Sequence, residues 1–292
     1  MNKFLSTMII VLVIAIAAAG GLYWWQLRTL GPSGKNVAVP VATATAPAPT
    51  VSSAAPPAEP AIQFPIGTAR AEKVTLPPLA DSDKYLAGEL NALLPRNEVL
   101  KFLQLDGFAR RVVATVDNLA RPHAAPMLWP VNPAPGRFTT LEAGTAPTTI
   151  SAANSQRYTP LVRFIESVDT TKAVALYVSA YPLFQQAYEE LGYPRRYFND
   201  RLVAVIAHLL ATPAARDGMG VKLTEVKGPI AAARPWVRYE FSDATLEALS
   251  SGQKMMLRAG ADNQARLKIK LREIRGQITG AGMAKPGGAA KP

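Results

Sequence analysis

The chain contains no cysteine and only two histidines among its 292 residues. The absence of cysteine excludes disulfide scaffolds, thiolate metal sites and cysteine nucleophiles. Two histidines leave little for a histidine-based metal centre or catalytic triad. We interpret His208, on the flank of an apolar helix face, as a partly buried structural histidine. The sequence motifs of P-loop, dinucleotide-binding, α/β-hydrolase and zinc-peptidase enzymes are also missing. We therefore expect no catalytic residues of these classes, no cofactor and no metal.

Four carboxylates are the candidates for acid–base catalysis: Asp106, Asp117, Glu166 and Asp169. A pair of them would suit a carboxylate-based hydrolase that cleaves an envelope polymer. Each also has a structural interpretation, which we favour. Asp106 and Asp169 precede helices as caps, Asp117 lies four residues before Arg121, and Glu166 belongs to a solvated face. The sequence therefore favours a non-enzymatic role and leaves the hydrolase as an alternative.

Positive charge is in excess, with 32 Lys and Arg against 21 Asp and Glu and a net charge of +11. Residues 251–280 hold seven basic residues against two acidic ones. Such a segment is a potential surface for anionic lipid, an acidic partner or nucleic acid, although we favour a solvated basic face without a ligand. Residues 266–272 also alternate as in a strand, but the apolar spacing up to Ile278 favours a helix. Because the rest of the domain is close to neutral, nucleic acid is not an expected partner.

An apolar run covers residues 4–25 and is broken only by two hydroxyl residues. As a helix it would rise about 33 Å, enough to cross a bilayer. A lysine precedes the run, and three aromatic residues at 23–25 close it at the position of the lipid headgroups. We predict an uncleaved signal anchor that inserts into the lipid bilayer, with residues 1–3 in the cytoplasm. A signal peptide cleaved after the alanines at 17–19 is the alternative.

Two segments have the composition of disordered chain. Residues 26–78 are rich in alanine and proline, with ten prolines between 31 and 78. Such a segment buries too little surface to offset the entropy of ordering, and we predict a tether. It would reach on the order of 40 Å as a coil and about 150 Å when fully extended. Residues 281–292 are Gly, Ala, Lys and Pro with a single Met, and we predict a disordered tail.

Residues 79–280 predict one compact, mainly α domain of many helices with a minor two-stranded β element. Apolar spacing predicts a first helix from Asp81 to before Pro95 and a second one over residues 108–119. A proline-rich excursion at 122–150 contains Trp129, which we expect to pin it to the core. Further helices are predicted over 155–168, 169–192, 198–212, 243–259 and 262–278, with a kink or restart at Pro182, and β-strands are predicted over 221–226 and 236–241.

Two further sets of residues could bind a ligand, but we favour a structural role for both. Aromatic residues recur at helical spacing from Tyr177 to Tyr188 and on to Leu191, which is typical of core packing rather than of a peptide groove. Four arginines lie on or beside predicted helices, and we expect them to pair internally with aspartates rather than with an anionic ligand. They are Arg110, Arg111, Arg157 and Arg163.

Several stretches carry a family resemblance. They are RRVVATVDNLA at 110–120, QRY at 156–158, YPLFQQAY at 181–188, LGYP at 191–194 and FSD at 241–243, followed by GQK at 252–254. With them the chain resembles the bacterial family of domain of unknown function 3014 over about residues 79–278. The resemblance implies an envelope protein with a membrane span, a proline-rich linker and one helical domain. It implies no catalytic residues, because the family has no assigned activity.

We therefore expect a single-pass protein of the bacterial inner membrane whose domain lies in the periplasm. Its expected role is that of an interaction or scaffold module with an envelope protein or a cell-wall component as partner. The alternatives are the hydrolase and binding of an anionic polymer or lipid through the basic C-terminal helix. Residues proposed for interaction are Arg157, Tyr158, Lys254, Arg258, Lys268, Lys270 and Arg272.

Overall fold

The computed structural model describes residues 61–66, 75–142, 144, 147–224 and 237–280. Over these residues the fold is mainly helical, with nine α-helices and two short antiparallel sheets. The helical prediction is confirmed, and the second sheet was not expected. The predicted cytoplasmic residues 1–3, the predicted span at 4–25, most of the tether and the tail at 281–292 lie outside the described residues. No helix within the described ranges is long and apolar enough to cross a membrane.

The fold is a succession of helices interrupted by two pairs of short strands. A 3₁₀ turn at Leu79–Asp81 leads into α1, and a second one lies at Pro126–Leu128. The helices are α1 (Ser82–Leu93), α2 (Arg96–Phe102), α3 (Phe108–Leu119), α4 (Ala153–Ser167), α5 (Thr170–Glu190), α6 (Phe198–Leu210), α7 (Ala244–Glu247), α8 (Ser251–Arg258) and α9 (Ala261–Ile278). The strands are β1 (Thr140–Leu141), β2 (Thr149–Ile150), β3 (Val221–Leu223) and β4 (Tyr239–Phe241).

The start of α3 differs from the predicted one. Asp106 was expected as its cap, but the N-cap is Gly107, whose φ of +61° favours glycine. The carboxylate of Asp83 in α1 accepts hydrogen bonds from the amides of Gly107 and Phe108, at 2.7 and 3.1 Å. Asp106 instead has an exposed side chain, 3.8 Å from Arg111. The cap supplied by α1 joins the first and third helices.

The core lies where α3, α5, α6 and α9 pack on one another, with α4 and α8 against them. The aromatic stripe of α5 is buried as predicted, from Tyr177 through Phe184 to Tyr188, whereas Leu191 at the helix end is exposed. The rings of Phe184 and Phe198 stack across α5 and α6. The helix continues through Pro182, where a kink or restart was expected. These aromatic contacts fix the position of α6 against α5.

The sheets lie at one side of the helices over a small second core. The predicted pairing is present as β3 and β4, with Val221 opposite Phe241 in antiparallel register. The β1–β2 hairpin is added to it by a bridge between Thr149 and Gly220. The long excursion at 122–150 is held to the main core by Trp129, whose side chain is buried as expected.

Candidate functional site

The structure brings together three of the residues proposed for interaction: Arg157, Tyr158 and Arg258. Tyr158 is buried, and its burial raises the pKa of its hydroxyl. The guanidinium of Arg157 lies 5.4 Å from the Tyr158 ring and donates hydrogen bonds to the carbonyl oxygens of Pro135 and Gly136, at 2.9 and 3.1 Å. Arg157 therefore holds the proline-rich excursion against α4.

Arg258 and Lys254, both on α8, also make internal contacts. Arg258 Nη2 donates a hydrogen bond to the carbonyl oxygen of Tyr239 at 2.8 Å, and its guanidinium lies 5.1 Å from the Phe241 ring. Burial lowers the pKa of Arg258. Lys254 pairs with the carboxylate of Glu247 at 2.7 Å. These contacts attach β4 and α7 to α8, which is a structural use of both cations.

The basic residues of α9 divide between the interior and the surface. Lys270 is buried, and its amine donates to Val168 O at 3.2 Å and to Thr170 Oγ1 at 3.1 Å. The amine of Lys268 donates to the carbonyl of Thr212, and burial lowers its pKa. Arg272 is exposed. Of these three proposed residues, only Arg272 is exposed, whereas Lys268 is partly buried and Lys270 is buried.

The other candidate arginines make varied contacts. Arg110 pairs with Glu190 at 3.0 Å on the surface. Arg111 lies near an aspartate and also donates to backbone carbonyls of the proline-rich excursion. Arg163 is exposed. Among these four arginines the structure shows pairing with an aspartate at Arg111. Arg110 pairs with a glutamate, and Arg157 donates to carbonyl oxygens.

The candidate carboxylates have structural partners. Asp117 is buried and accepts hydrogen bonds from Arg201, at 3.0 Å, from Tyr193, at 3.2 Å, and from Arg121, as its i, i+4 position predicted. The side chain of Asp169 caps α5 by accepting from the amide of residue 172 at 3.0 Å. Glu166, expected on a solvated face, pairs with an arginine of α9 at 3.2 Å. No cluster of three or more His, Asp or Glu able to hold a metal occurs among the residues described.

His208 is half-buried, as expected of a structural histidine. Its Nε2 lies 2.8 Å from Ser250 Oγ. Ser250 is the N-cap of α8 and forms a capping box with Gln253. Burial, with a smaller contribution from nearby Arg201, lowers the pKa of His208. The neutral imidazole thus supports the cap of α8.

The most informative site was missed from the sequence: the helical domain binds part of its own predicted tether. Residues 61–66, which we call the tether segment, lie against the N-terminal end of α6. Asp200 accepts hydrogen bonds from the amides of Gln63, at 3.0 Å, and Phe64, at 2.8 Å. The Tyr197 hydroxyl accepts one from the amide of Ile66 at 2.8 Å. The segment therefore cannot be treated as free spacer.

We call Tyr197, Asn199 and Asp200 the tether site, which Asn199 completes. The Asn199 side chain is fully buried, and its Nδ2 donates to Phe64 O at 2.8 Å and to Ile278 O at 3.2 Å. Asn199 therefore connects the tether segment to the end of α9.

Side chains of α5 hold the tether site in place. The hydroxyl of Tyr177 donates to Asn199 Oδ1 at 2.9 Å, and the hydroxyl of Tyr181 accepts from the backbone amide of Asn199 at 3.2 Å. Gln185 Oε1 accepts from the amide of Phe198 at 2.9 Å, so that α5 caps the start of α6. Burial raises the pKa of both tyrosines, which keeps the hydroxyls protonated. The residues of the tether site are therefore positioned by hydrogen bonds to side chains of α5.

Hydrophobic contacts accompany the hydrogen bonds. Phe64 and Ile66 are partly buried and pack against the main core, while Ile62 is exposed. The sequence carries a weak signal for these contacts, because large apolar residues stand at 62, 64 and 66 within a stretch of small residues and prolines. The chain bends at residues 63 and 64, and Ile62 does not share the buried face of Phe64 and Ile66.

Comparison with known proteins gives a match to one protein family. The profile of the family described as Protein of unknown function (DUF3014) matches residues 108–275. The chain belongs to this family. No curated protein and no solved structure matches it. The family region runs from the start of α3 into α9, so it includes the three residues of the tether site but not the tether segment itself.

Proposed function

We propose that the protein is an interaction module of the bacterial envelope and that its helical domain binds short peptide segments. One observation carries the proposal: the domain holds residues 61–66 of its own chain through main-chain hydrogen bonds to three neighbouring side chains. A domain that holds the main chain of a short segment in this way has the chemistry of a peptide-binding site.

The contacts of the tether segment are of two kinds. Four hydrogen bonds engage backbone groups, which any peptide carries, and therefore give affinity without strong sequence dependence. Phe64 and Ile66 add apolar contacts with the core. These two side chains supply the selectivity of the site. The site thus combines general affinity with a preference for two apolar side chains.

The location in the envelope is also part of the proposal. The apolar run at 4–25 and the alanine- and proline-rich residues that follow support a tethered domain outside the inner membrane.

The contacts of Lys268 and Lys270 with backbone carbonyls give less support to binding of an anionic polymer through α9. The contacts of Asp117 and Asp169 likewise give less support to a carboxylate-based hydrolase.

Peptide binding is tested with the full-length protein in which residues 61–66 are replaced by Gly and Ser, so that the tether site is empty. A fluorescein-labelled peptide of sequence AIQFPI is titrated and its anisotropy is measured. We expect saturable binding that Asp200→Asn weakens, because an amide offers only one oxygen to the two peptide N–H groups. Asp217→Asn, at an exposed acid in a loop, is the matched control. Absence of binding to the emptied site would contradict the proposal.

The location is tested by a fusion of alkaline phosphatase after residue 80. We expect an active fusion, since the enzyme folds only where disulfides form. An inactive fusion, with a cytoplasmic reporter at the same position active, would place the domain in the cytoplasm.

A further inference from the structure

We infer that the tether segment is an exchangeable occupant of the tether site. In its place the site binds in trans a short segment of a partner protein with an aromatic residue, a proline and an aliphatic residue in succession. The inference rests on the proposed function and names its ligand and its regulation. The template is the bound sequence Phe64-Pro65-Ile66.

The hydrogen bonds define what the main chain of a ligand must offer. Asp200 accepts from two consecutive amides, and Tyr197 accepts from the amide two residues further along. The position between them is Pro65, which has no N–H to donate. A proline in the ligand therefore loses no hydrogen bond there, and its fixed φ reduces the entropy that the free peptide loses on binding.

The apolar contacts define the side chains. Phe64 and Ile66 are partly buried, whereas Ile62 is 54% exposed and Gln63 is also exposed. Selectivity should therefore reside in the residues on either side of the proline. The residues that precede them can vary, because their side chains lie in solvent. A partner segment is recognised by this short pattern rather than by a long sequence.

Asn199 defines one further contact that a ligand must make. Its side chain is fully buried with the tether segment in place, and Nδ2 donates to Phe64 O and Ile278 O. A peptide that replaces the segment must therefore offer a carbonyl oxygen at the position of Phe64 O, because a donor covered by a bound peptide and left without an acceptor is unfavourable.

The covalent connection makes the tether segment a competitor. Eight residues separate Ile66 from Thr75, where the described domain begins. A ligand on so short a connection has an effective concentration in the millimolar range. If the tether segment binds with a dissociation constant near 0.1 mM, its presence in the site weakens the affinity for a peptide added in trans by roughly 10-fold to 100-fold. The intact chain should therefore respond only to a partner that is abundant or held nearby.

The test uses full-length protein and the labelled AIQFPI peptide as probe. A double variant, Phe64→Ser with Ile66→Ser, removes the apolar contacts of the cis segment and leaves the tether site unchanged. We expect the double variant to bind the probe at least about tenfold more tightly than the wild type. Ile62→Ser, at an exposed position, is the matched control and should bind like the wild type. Circular dichroism verifies that the helical content of each variant is unchanged. A probe with serine at its Phe and Ile positions should bind much more weakly, since it retains only the backbone contacts.

Three outcomes would overturn the inference. Equal affinity of the wild type and the double variant would show that the segment does not compete, while the proposed function would survive. Equal binding of the serine probe would refute the assigned chemistry. A dimer of the wild type that is lost in the double variant, measured by light scattering, would assign the site to a second copy of the chain. Failure of the emptied site to bind any probe would instead refute the proposed function itself.

Discussion

Replacement of Asp117 by asparagine tests whether the buried ion-pair cluster is needed for stability. The Asp117 side chain is only 4% exposed and lies between Arg121 and Arg201, whose side chains are 50% and 29% exposed. Tyr193 donates a third hydrogen bond, at 3.2 Å. Asparagine has nearly the same shape but no charge, so the change removes the electrostatic part of these contacts with little change in packing.

The expected loss follows from the contacts. A hydrogen bond to a charged group contributes about 1.5–3 kcal/mol, and asparagine retains one oxygen acceptor but turns an NH₂ group towards the other donors. Breaking a buried ion pair costs about 3–5 kcal/mol when the remaining charge stays buried. Since both arginines reach water, we expect Asp117→Asn to lower the free energy of unfolding by about 3 kcal/mol.

The measurement is urea unfolding followed by circular dichroism, with the slope of the transition compared between variants. The matched control is Glu190→Gln, which also removes a carboxylate paired with an arginine, Arg110. That pair is exposed, with 48% and 44% of the two side chains accessible, so its loss should change stability by no more than about 0.5 kcal/mol. If Asp117→Asn changed stability as little as the control does, the cluster would not have the role we assign to it.

Three more predictions concern packing, pH and the basic helix. Gly252→Ala should destabilise by about 1–3 kcal/mol in urea unfolding, because its Cβ would lie 2.7 Å from a leucine side chain and 2.9 Å from a backbone oxygen. Gly88→Ala, with no atom near its Cβ, should stabilise by about 0.5–1 kcal/mol, and the same sign for both would refute the packing argument. The fold lowers the pKa of His208 below its unfolded value of about 6.5. The contribution of the neutral imidazole to stability is therefore fully present above about pH 6.5, and it is lost as the pH falls through the lower folded pKa. Melting temperatures between pH 5 and 8 should therefore fall less steeply towards low pH in His208→Gln, and an unchanged slope would exclude this assignment. Lys270→Glu should unfold the domain or lower its melting temperature strongly, because Lys270 is buried. Arg272→Glu, at an exposed position of the same helix, should melt like the wild type. Equally small effects of the two variants would mean that Lys270, like Arg272, faces solvent.

Helices with long apolar periodicity could be predicted from the sequence because a single rule determines them. The buried positions of α3 and α6 recur at helical spacing, and tertiary packing uses the same positions. The seven-residue α2 was not predicted, since it is too short to show a period. The cap of α3 was assigned to the wrong aspartate, because Asp83 reaches it from another helix and sequence proximity favoured Asp106. Local patterns thus predict elements better than contacts between elements.

The same distinction explains the outcome for the basic residues. Lysine content on α9 predicted a basic surface, but a long side chain with a terminal amine can reach carbonyl oxygens of a neighbouring helix end. Lys268 reaches Thr212 after α6, and Lys270 reaches Val168 after α4. Carbonyls at helix C-termini lack partners within their own helix and accept such donors readily. Which lysines do so depends on where the helices end in space, which charge counts along the sequence do not reveal.

The tether segment shows how a low-complexity stretch can contain residues that pack on a folded domain. Its average composition predicts disorder, and that argument holds for a segment that must order itself alone. Residues 61–66 pack on the helical core, so the entropy cost of their order is offset by contacts that the segment could not make alone. One of these contacts joins distant parts of the chain, because the amide group of Asn199 donates to both Phe64 O and Ile278 O. Average composition cannot reveal such a contact, since it depends on a side chain that lies 135 residues after Phe64.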